Sequence, residues 1–196
     1  MVFSKKLTIF AGVNGAGKST FYNLISLPNL GIRLNSDEIV KNNNDAWQDM
    51  RAQIKAGKML IDEQNKCFNK GLSFNRETTL AGESIINSIK KANALGYQIT
   101  LYYISVKNPE IAKKRVKKRI EKGGHGVSES AIEKRFLSSH KNLIRILPYC
   151  DNAFFYDNSG KSFINLGYYI NKKITIRISK KWLKNIEKEL SVKKPT

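Results

Sequence analysis

Gly12-Val13-Asn14-Gly15-Ala16-Gly17-Lys18-Ser19 has the form G-x-x-x-x-G-K-S/T, and its flanks decide the fold. Leu7-Thr8-Ile9-Phe10 before it is a short apolar, strand-like run, and Ser19-Thr20-Phe21-Tyr22-Asn23-Leu24-Ile25 after it reads as the first turns of a helix. Strand, glycine-rich loop and helix in that order are the setting a phosphate-binding loop requires. The glycines allow positive φ and close backbone approach, so successive N–H groups can ring a β-phosphate at a helix N-terminus, where the dipole favours an anion. Lys18 then reaches the β- and γ-phosphates, and the Ser19 hydroxyl ligates Mg²⁺. Gly12, Asn14, Gly15, Ala16, Gly17, Lys18, Ser19 and Thr20 are the candidate nucleotide-binding residues. The competing reading, a glycine-rich turn with a surface lysine, does not account for the flanking elements.

Length and charge bound what such a site can serve. The chain has 196 residues, 41% of them hydrophobic, enough for one domain with a full core, and a single domain over 1–196 is expected. No run of about 18 apolar residues occurs, and Met1 leads into the first strand without an apolar leader, so the expectation is a cytoplasmic protein without a membrane partner. Cys67 and Cys150 are far apart and lack CxxC or Cys/His spacing, which predicts buried free thiols and excludes a zinc or disulfide framework. Lys and Arg number 35 against 16 Asp and Glu, a net charge of +19. Such a field draws polyanions, whether nucleotides, nucleic acid, anionic membrane or an acidic protein. One dense block, Lys113 to Arg119, falls on a predicted helix. A second, from Lys172 to Lys194, surrounds a terminal helix centred on Trp182 and Leu183 and reads as a solvated basic face.

Strands and helices alternate. Leu7–Ala11, Ile32–Asn35, Leu72–Arg76, Ile99–Val106 and Ala153–Tyr156 read as strands, mostly continuous in apolarity as a sheet covered on both faces demands. A helix over Ala46–Asn69 carries Met50, Ile54, Leu60, Ile61 and Phe68, and Trp47 fits its apolar face; another, Ser84–Leu95, ends in the C′ glycine Gly96. Asn108-Pro109-Glu110 starts a helix that ends at Gly123-Gly124, and the next begins near Ser128 or Ser130, where Ser130-Ala131-Ile132-Glu133 has capping-box spacing. Phe163–Tyr169 and Lys173–Ile178 are β-like runs before the terminal helix. The pattern implies an α/β fold with a parallel sheet, helices on both faces and chemistry at the strands' C-terminal edge.

Asn35-Ser36-Asp37-Glu38 follows strand two, and Asn75-Arg76-Glu77-Thr78-Thr79 follows strand three. A carboxylate at the first place can accept the proton of an attacking hydroxyl, and polar groups at the second can hold an acceptor or a metal-bound water. Position alone also leaves Asp37 as a helix cap and Glu77 as a partner of Arg76 in play.

Four stretches together carry a resemblance: Ala11 to Thr20; Leu34-Asn35-Ser36-Asp37; Glu77-Thr78-Thr79-Leu80; and Gly123-Gly124-His125-Gly126-Val127 followed by Ile132-Glu133-Lys134-Arg135-Phe136. In order and spacing, over about residues 5–160, the chain resembles the short-chain branch of the zeta toxin family of P-loop kinases. The resemblance implies a three-layer P-loop kinase fold, a mostly parallel sheet with helices on both faces and a helical lid at about 109–142; beyond it the residue pattern adds a basic extension at about 161–196 holding a small C-terminal β-hairpin plus helix. It implies ATP and Mg²⁺ as cofactors, phosphorylation of the 3′-hydroxyl of UDP-N-acetylglucosamine, and restraint by a small antitoxin, for which the basic chain would need an acidic partner. It makes Asp37 the general base, Glu77 and Thr79 the acceptor-binding pair, and arginines between Pro109 and Asn142 the stabilisers of the transferred phosphoryl group. Helix spacing narrows that last set. Arg115 and Arg119 share a face, and Arg135 lies beyond a hinge-capable loop, so Arg119 and Arg135 join Lys18 and Asp37 as the catalytic candidates. His125 either touches phosphate or is exposed, and His140 is structural or solvated. Arg76 and Thr78 are bulkier than a small-residue acceptor loop would carry, leaving the acceptor open between a UDP-sugar and another alcohol. A second class also stays open: a nucleic-acid-associated P-loop protein, either a polynucleotide kinase or a nucleotide-regulated binding module, carried by the charge.

Overall fold

The computed structural model describes residues 5–25, 27–42 and 49–192. Strands β1 (Lys6–Ala11), β2 (Ile32–Leu34), β3 (Phe74–Thr78), β4 (Gln98–Ser105), β5 (Asn152–Asp157), β6 (Ile164–Ile170) and β7 (Lys173–Ile176) form one sheet in the order β2-β3-β1-β4-β5-β6-β7. The first five strands run parallel, and β6 and β7 extend the β5 edge antiparallel. After β1 the chain leaves to one side for β2 and β3, then crosses to the other for β4 and β5. The crevice where those two excursions part, at the C-terminal end of β1, is where an open α/β sheet receives its ligand. The Gly12–Ser19 loop opens into it.

Seven helices cover the sheet among the described residues: α1 (Lys18–Leu24), α2 (Ser36–Asn42), α3 (Met50–Lys70), α4 (Glu83–Ala94), α5 (Pro109–Glu121), α6 (Glu129–Ile146) and α7 (Lys181–Val192). Two apolar layers result. Ile9, Phe74, Leu101 and Tyr103 pack with residues of α3, α4, α7 and the end of α6, whereas Phe10, Tyr102 and Ile104 pack with Phe21 of α1 and Val116 of α5. Ile9 and Phe10 are both 0% exposed although adjacent, one in each layer, which is why β1 reads as unbroken apolar sequence. Each such side chain contributes about 1.5–3 kcal/mol by leaving water. Helix α6 joins the layers, with Ile132 near its start in one and Leu143 and Ile146 near its end in the other.

The structure moves several predicted boundaries. β3 starts at Phe74, two residues after the expected Leu72, because α3 closes on Gly71 at φ 61° and the Leu72 N–H still donates to the Cys67 carbonyl. The buried stripe of α3 is Ala52, Ala56, Leu60, Gln64, Cys67 and Phe68, while Ile54 and Ile61 face outward; Trp47 lies outside the described residues. Ser128 caps α6, accepting from the Ala131 N–H, so the Ser130–Glu133 spacing is not used as a capping box. Gly96, at φ 74°, closes α4 as expected. Both cysteines are buried free thiols, and burial pushes the Cys150 thiol up to about 12. No helix of the described residues is long and apolar enough to cross a membrane.

Candidate active site

The phosphate loop is built by close approach. Gly12 has φ 147° and Gly15 φ 80°, and a Cβ at either would run into the carbonyl oxygen of Ile104 or Ala112, respectively. Asn158, just beyond β5, donates from Nδ2 to the Ala16 carbonyl at 2.8 Å and packs over Gly17, bracing the loop from outside. The Lys18 ammonium is buried and donates to the carbonyls of Gly12 at 3.0 Å and Val13 at 3.4 Å. Burial holds its pKa below the ordinary lysine value, with Glu77 and Asp37 pulling it back up.

Next to the loop, the Ser19 hydroxyl donates to Glu77 Oε2 at 2.9 Å. The same carboxylate accepts from Arg33 Nη2 at 2.6 Å, and Arg33 also binds Glu38 and lies 3.6 Å from the centre of the Tyr22 ring. Glu77 is therefore not paired with Arg76, its neighbour in sequence. The two alternate across β3, and Arg76 points the other way, donating to Gln64 Oε1 of α3 at 2.5 Å.

Asp37 is likewise freed from the capping role. Asn35 Oδ1 accepts the Asp37 N–H at 3.0 Å and caps α2, leaving the Asp37 carboxylate, 42% exposed, to project from the first turn. His125 Nε2 lies 3.6 Å from Asp37 Oδ1, so the Gly123–Val127 loop reaches the site. Burial depresses the His125 pKa below its usual value, with Asp37 opposing and Arg119 and Arg135 assisting.

Arginines close the other side. Arg135 Nη1 donates to Asn14 Oδ1 at 2.8 Å, tying α6 to the phosphate loop. Arg119 Nε and Nη2 and Arg115 Nη1 are buried with no hydrogen-bond partner among the described residues. Desolvated, unpaired guanidinium N–H groups are costly unless an anion pairs with them, and phosphate oxygens supply such acceptors.

These groups line two adjoining cavities. One, of about 400 Å³, lies over Lys18, Ser19, Thr20, Arg115, Arg119 and Asn158. The other, of about 330 Å³, is walled by Thr79, Arg76, His125, Arg135 and the N-terminal half of α3. Asn14, Asp37 and Glu77 belong to both. The sequence-predicted residues thus converge on one edge of the sheet. Arg33, Asn158 and the placement of His125 were not anticipated. Asn158 had a readable signal, since Asp157-Asn158-Ser159-Gly160 follows a predicted strand just as Asp37 and Glu77 do.

The zeta toxin family model matches residues 3–164. An uncharacterized protein of Haemophilus influenzae is 33% identical over 136 residues, covering 69% of this chain and 95% of its own length. Among solved structures, a chain of the AvrRxo1-ORF1:AvrRxo1-ORF2 complex with sulphate ions superposes with a TM-score of 0.70 at 14% identity, over 95% of this chain. This chain spans only 64% of that one's length, and the same complex has also been crystallised with ATP. The PezAT chromosomal toxin-antitoxin system of Streptococcus pneumoniae gives a TM-score of 0.64 at 17% identity, covering 98% of this chain and 80% of the other. At those identities the structures establish a shared fold, that of the P-loop kinases.

Proposed function

This chain belongs to the zeta toxin family, and we propose that it transfers the γ-phosphoryl group of ATP to a hydroxyl of a small acceptor, such as the amino sugar of UDP-N-acetylglucosamine. The observation that supports this most is the position of Asp37 on the boundary between the two cavities. A general base for phosphoryl transfer has to touch the acceptor hydroxyl while lying within reach of the γ-phosphate.

In this reading ATP occupies the phosphate-loop cavity, its β-phosphate ringed by the N–H groups of residues 13–18, and Glu77 and Thr79 orient the acceptor in the other. The acceptor oxygen forms its bond to the γ-phosphorus as the bond to the ADP oxygen breaks, and the hydroxyl proton passes to the Asp37 carboxylate. Lys18, Arg119 and Arg135 place positive charge around the equatorial oxygens, where the transition state needs it. The Ser19 hydroxyl beside the phosphate loop, with the Glu77 carboxylate 2.9 Å away adding negative charge, is a hard-oxygen ligand that fits Mg²⁺ and would hold it. A Mg²⁺ ion held there would neutralise phosphate charge.

Asp37→Asn keeps the shape and removes the proton acceptor. It should leave ATP affinity nearly intact and lower transfer by about two to four orders of magnitude, read by radiolabelled ATP against a panel of UDP-sugars, nucleosides and short oligonucleotides. Transfer at the normal rate would reduce Asp37 to a bystander.

One observation favours a second reading. Arg115, Lys118, Arg119 and Lys122 line an open basic depression that shares Arg115 and Arg119 with the nucleotide cavity. A nucleic-acid strand or an acidic antitoxin-like protein would suit it. A 5′-hydroxyl oligonucleotide that outcompetes every sugar nucleotide in the panel would make this protein a polynucleotide kinase.

A further inference from the structure

Among the described residues, Arg76 is the one cation lining the acceptor cavity for which the reading above has no use. It sits on β3 between Asn75, whose amide donates to backbone carbonyls of Leu30, Gly31 and Ile32, and Glu77, which serves Ser19 and Arg33. Its own side chain turns to the opposite face. There Nη1 donates to Gln64 Oε1 at 2.5 Å and to Ser88 Oγ at 3.5 Å, both neutral acceptors, and Nε is buried with no partner. Among the described residues no carboxylate offsets the charge. Burial alone acts on the guanidinium and pulls it down to about 10, whereas Arg33, one strand away, is raised by its two glutamates.

Proteins rarely leave a largely buried guanidinium without an anion, because a desolvated unpaired charge costs several-fold more than a neutral side chain of the same shape. A leucine or methionine at this strand position would pack between α3 and α4 without that cost. The arginine nevertheless lines the cavity whose other walls include Asp37, Thr79 and Arg135. Gln64 and Ser88, 4% and 9% exposed, hold one nitrogen of the planar group in place, and a fork held in that way favours an oxyanion over a neutral partner.

The geometry points to Arg76 as the residue that recognises an anionic group, phosphate or carboxylate, on the acceptor alcohol. The inference rests on the reading of this cavity as the acceptor site. It adds that a neutral alcohol is a poor substrate and that the anion is bound on the α3–α4 side of β3, away from the phosphate loop.

The test keeps the two readings apart by measuring binding rather than turnover. With the nucleotide site saturated by a non-hydrolysable ATP analogue and Mg²⁺, at fixed ionic strength, titration calorimetry compares N-acetylglucosamine 1-phosphate with N-acetylglucosamine, and glucuronate with glucose. The anionic member of at least one pair should bind at least tenfold tighter than its neutral counterpart, and the pair that shows the gap identifies phosphate or carboxylate as the group. Arg76→Gln should erase the gap and Arg76→Lys keep part of it, while Arg76→Met should melt no lower than the parent protein. The inference is overturned if neither anion outbinds its neutral partner, or if the gap survives in Arg76→Gln. It is also overturned if both the Gln and Met variants melt lower, because the guanidinium would then serve packing. An Arg76-dependent gap in a protein that phosphorylates nothing would leave the anion site standing and remove the kinase reading; efficient transfer to neutral alcohols without a gap would do the reverse.

Discussion

Lys18 shows how much of the site follows from single residues. Its ammonium is held by two carbonyls of its own loop, so a phosphate replaces neutral acceptors with an anion at the same place. Charge-assisted hydrogen bonds contribute about 1.5–3 kcal/mol each, so Lys18→Ala should weaken Mg·ATP about 10- to 100-fold and abolish turnover, with an unchanged melting midpoint. Calorimetry on the folded variant checks it, and parental affinity with parental turnover would remove the phosphate-loop reading. The glycines, Lys18 and Ser19 were legible because the loop is contiguous and its chemistry depends on backbone geometry that sequence spacing specifies. Asp37 was legible as to place, but that Asn35 and not Asp37 takes the cap is a matter of local geometry that spacing does not specify. Glu77 and Arg76 were open to misreading for a simple reason: adjacent residues on a strand face opposite ways, so the ion pair forms across strands with Arg33.

At the scale of elements, existence was easier to read than limits. Every predicted strand is present, but ends shifted where a cap or a left-handed residue intervened, as at Gly71 and Asn35. Helix–helix docking left even less trace in the sequence. His140 of α6 stacks on Trp182 of α7 at 5.0 Å between ring centroids and meets Phe136 edge-on, forming an aromatic seam that neither segment announces. Burial pushes the His140 pKa down to about 4, from an ordinary 6.5. The folded state therefore binds this proton less readily than the unfolded chain. Its neutral form supports the fold fully above pH ~6.5, and that support is lost as pH falls through about 4, a swing of about 3 kcal/mol. His140→Phe, which keeps an aromatic ring in the seam, should flatten the decline of chemical-denaturation stability between pH 6.5 and 4. An unchanged acid limb would show that other groups set it.

For the whole molecule, net charge and its two basic blocks were legible, and which of their groups find partners was not. Lys181, Lys184 and Lys188 of α7 are exposed, the solvated basic face expected of the tail. Lys180 is bound to Asp157 at 2.7 Å, where α7 begins against the end of β5, and Leu183 and Ile186 of α7 are buried, so the C-terminal extension is part of the sheet's covering layer. Arg115 and Arg119, whose buried N–H groups have no hydrogen-bond partner among the described residues, lie instead over the phosphate loop. That division predicts different consequences from removing similar charges. Arg119→Ala and Arg135→Ala should lower kcat far more than they raise the ATP dissociation constant, because a guanidinium on the moving phosphoryl group acts chiefly in the transition state. Neutralising the exposed Lys181 and Lys184 should change neither quantity. What those lysines should change is attraction to a random oligonucleotide, which on a diffuse basic surface falls steeply between about 50 and 200 mM salt. Equal kinetic losses from both sets would place the active edge elsewhere on the sheet. Oligonucleotide binding that stays micromolar or tighter at the higher salt and responds to ATP would make nucleic acid the physiological ligand of the arginine cluster.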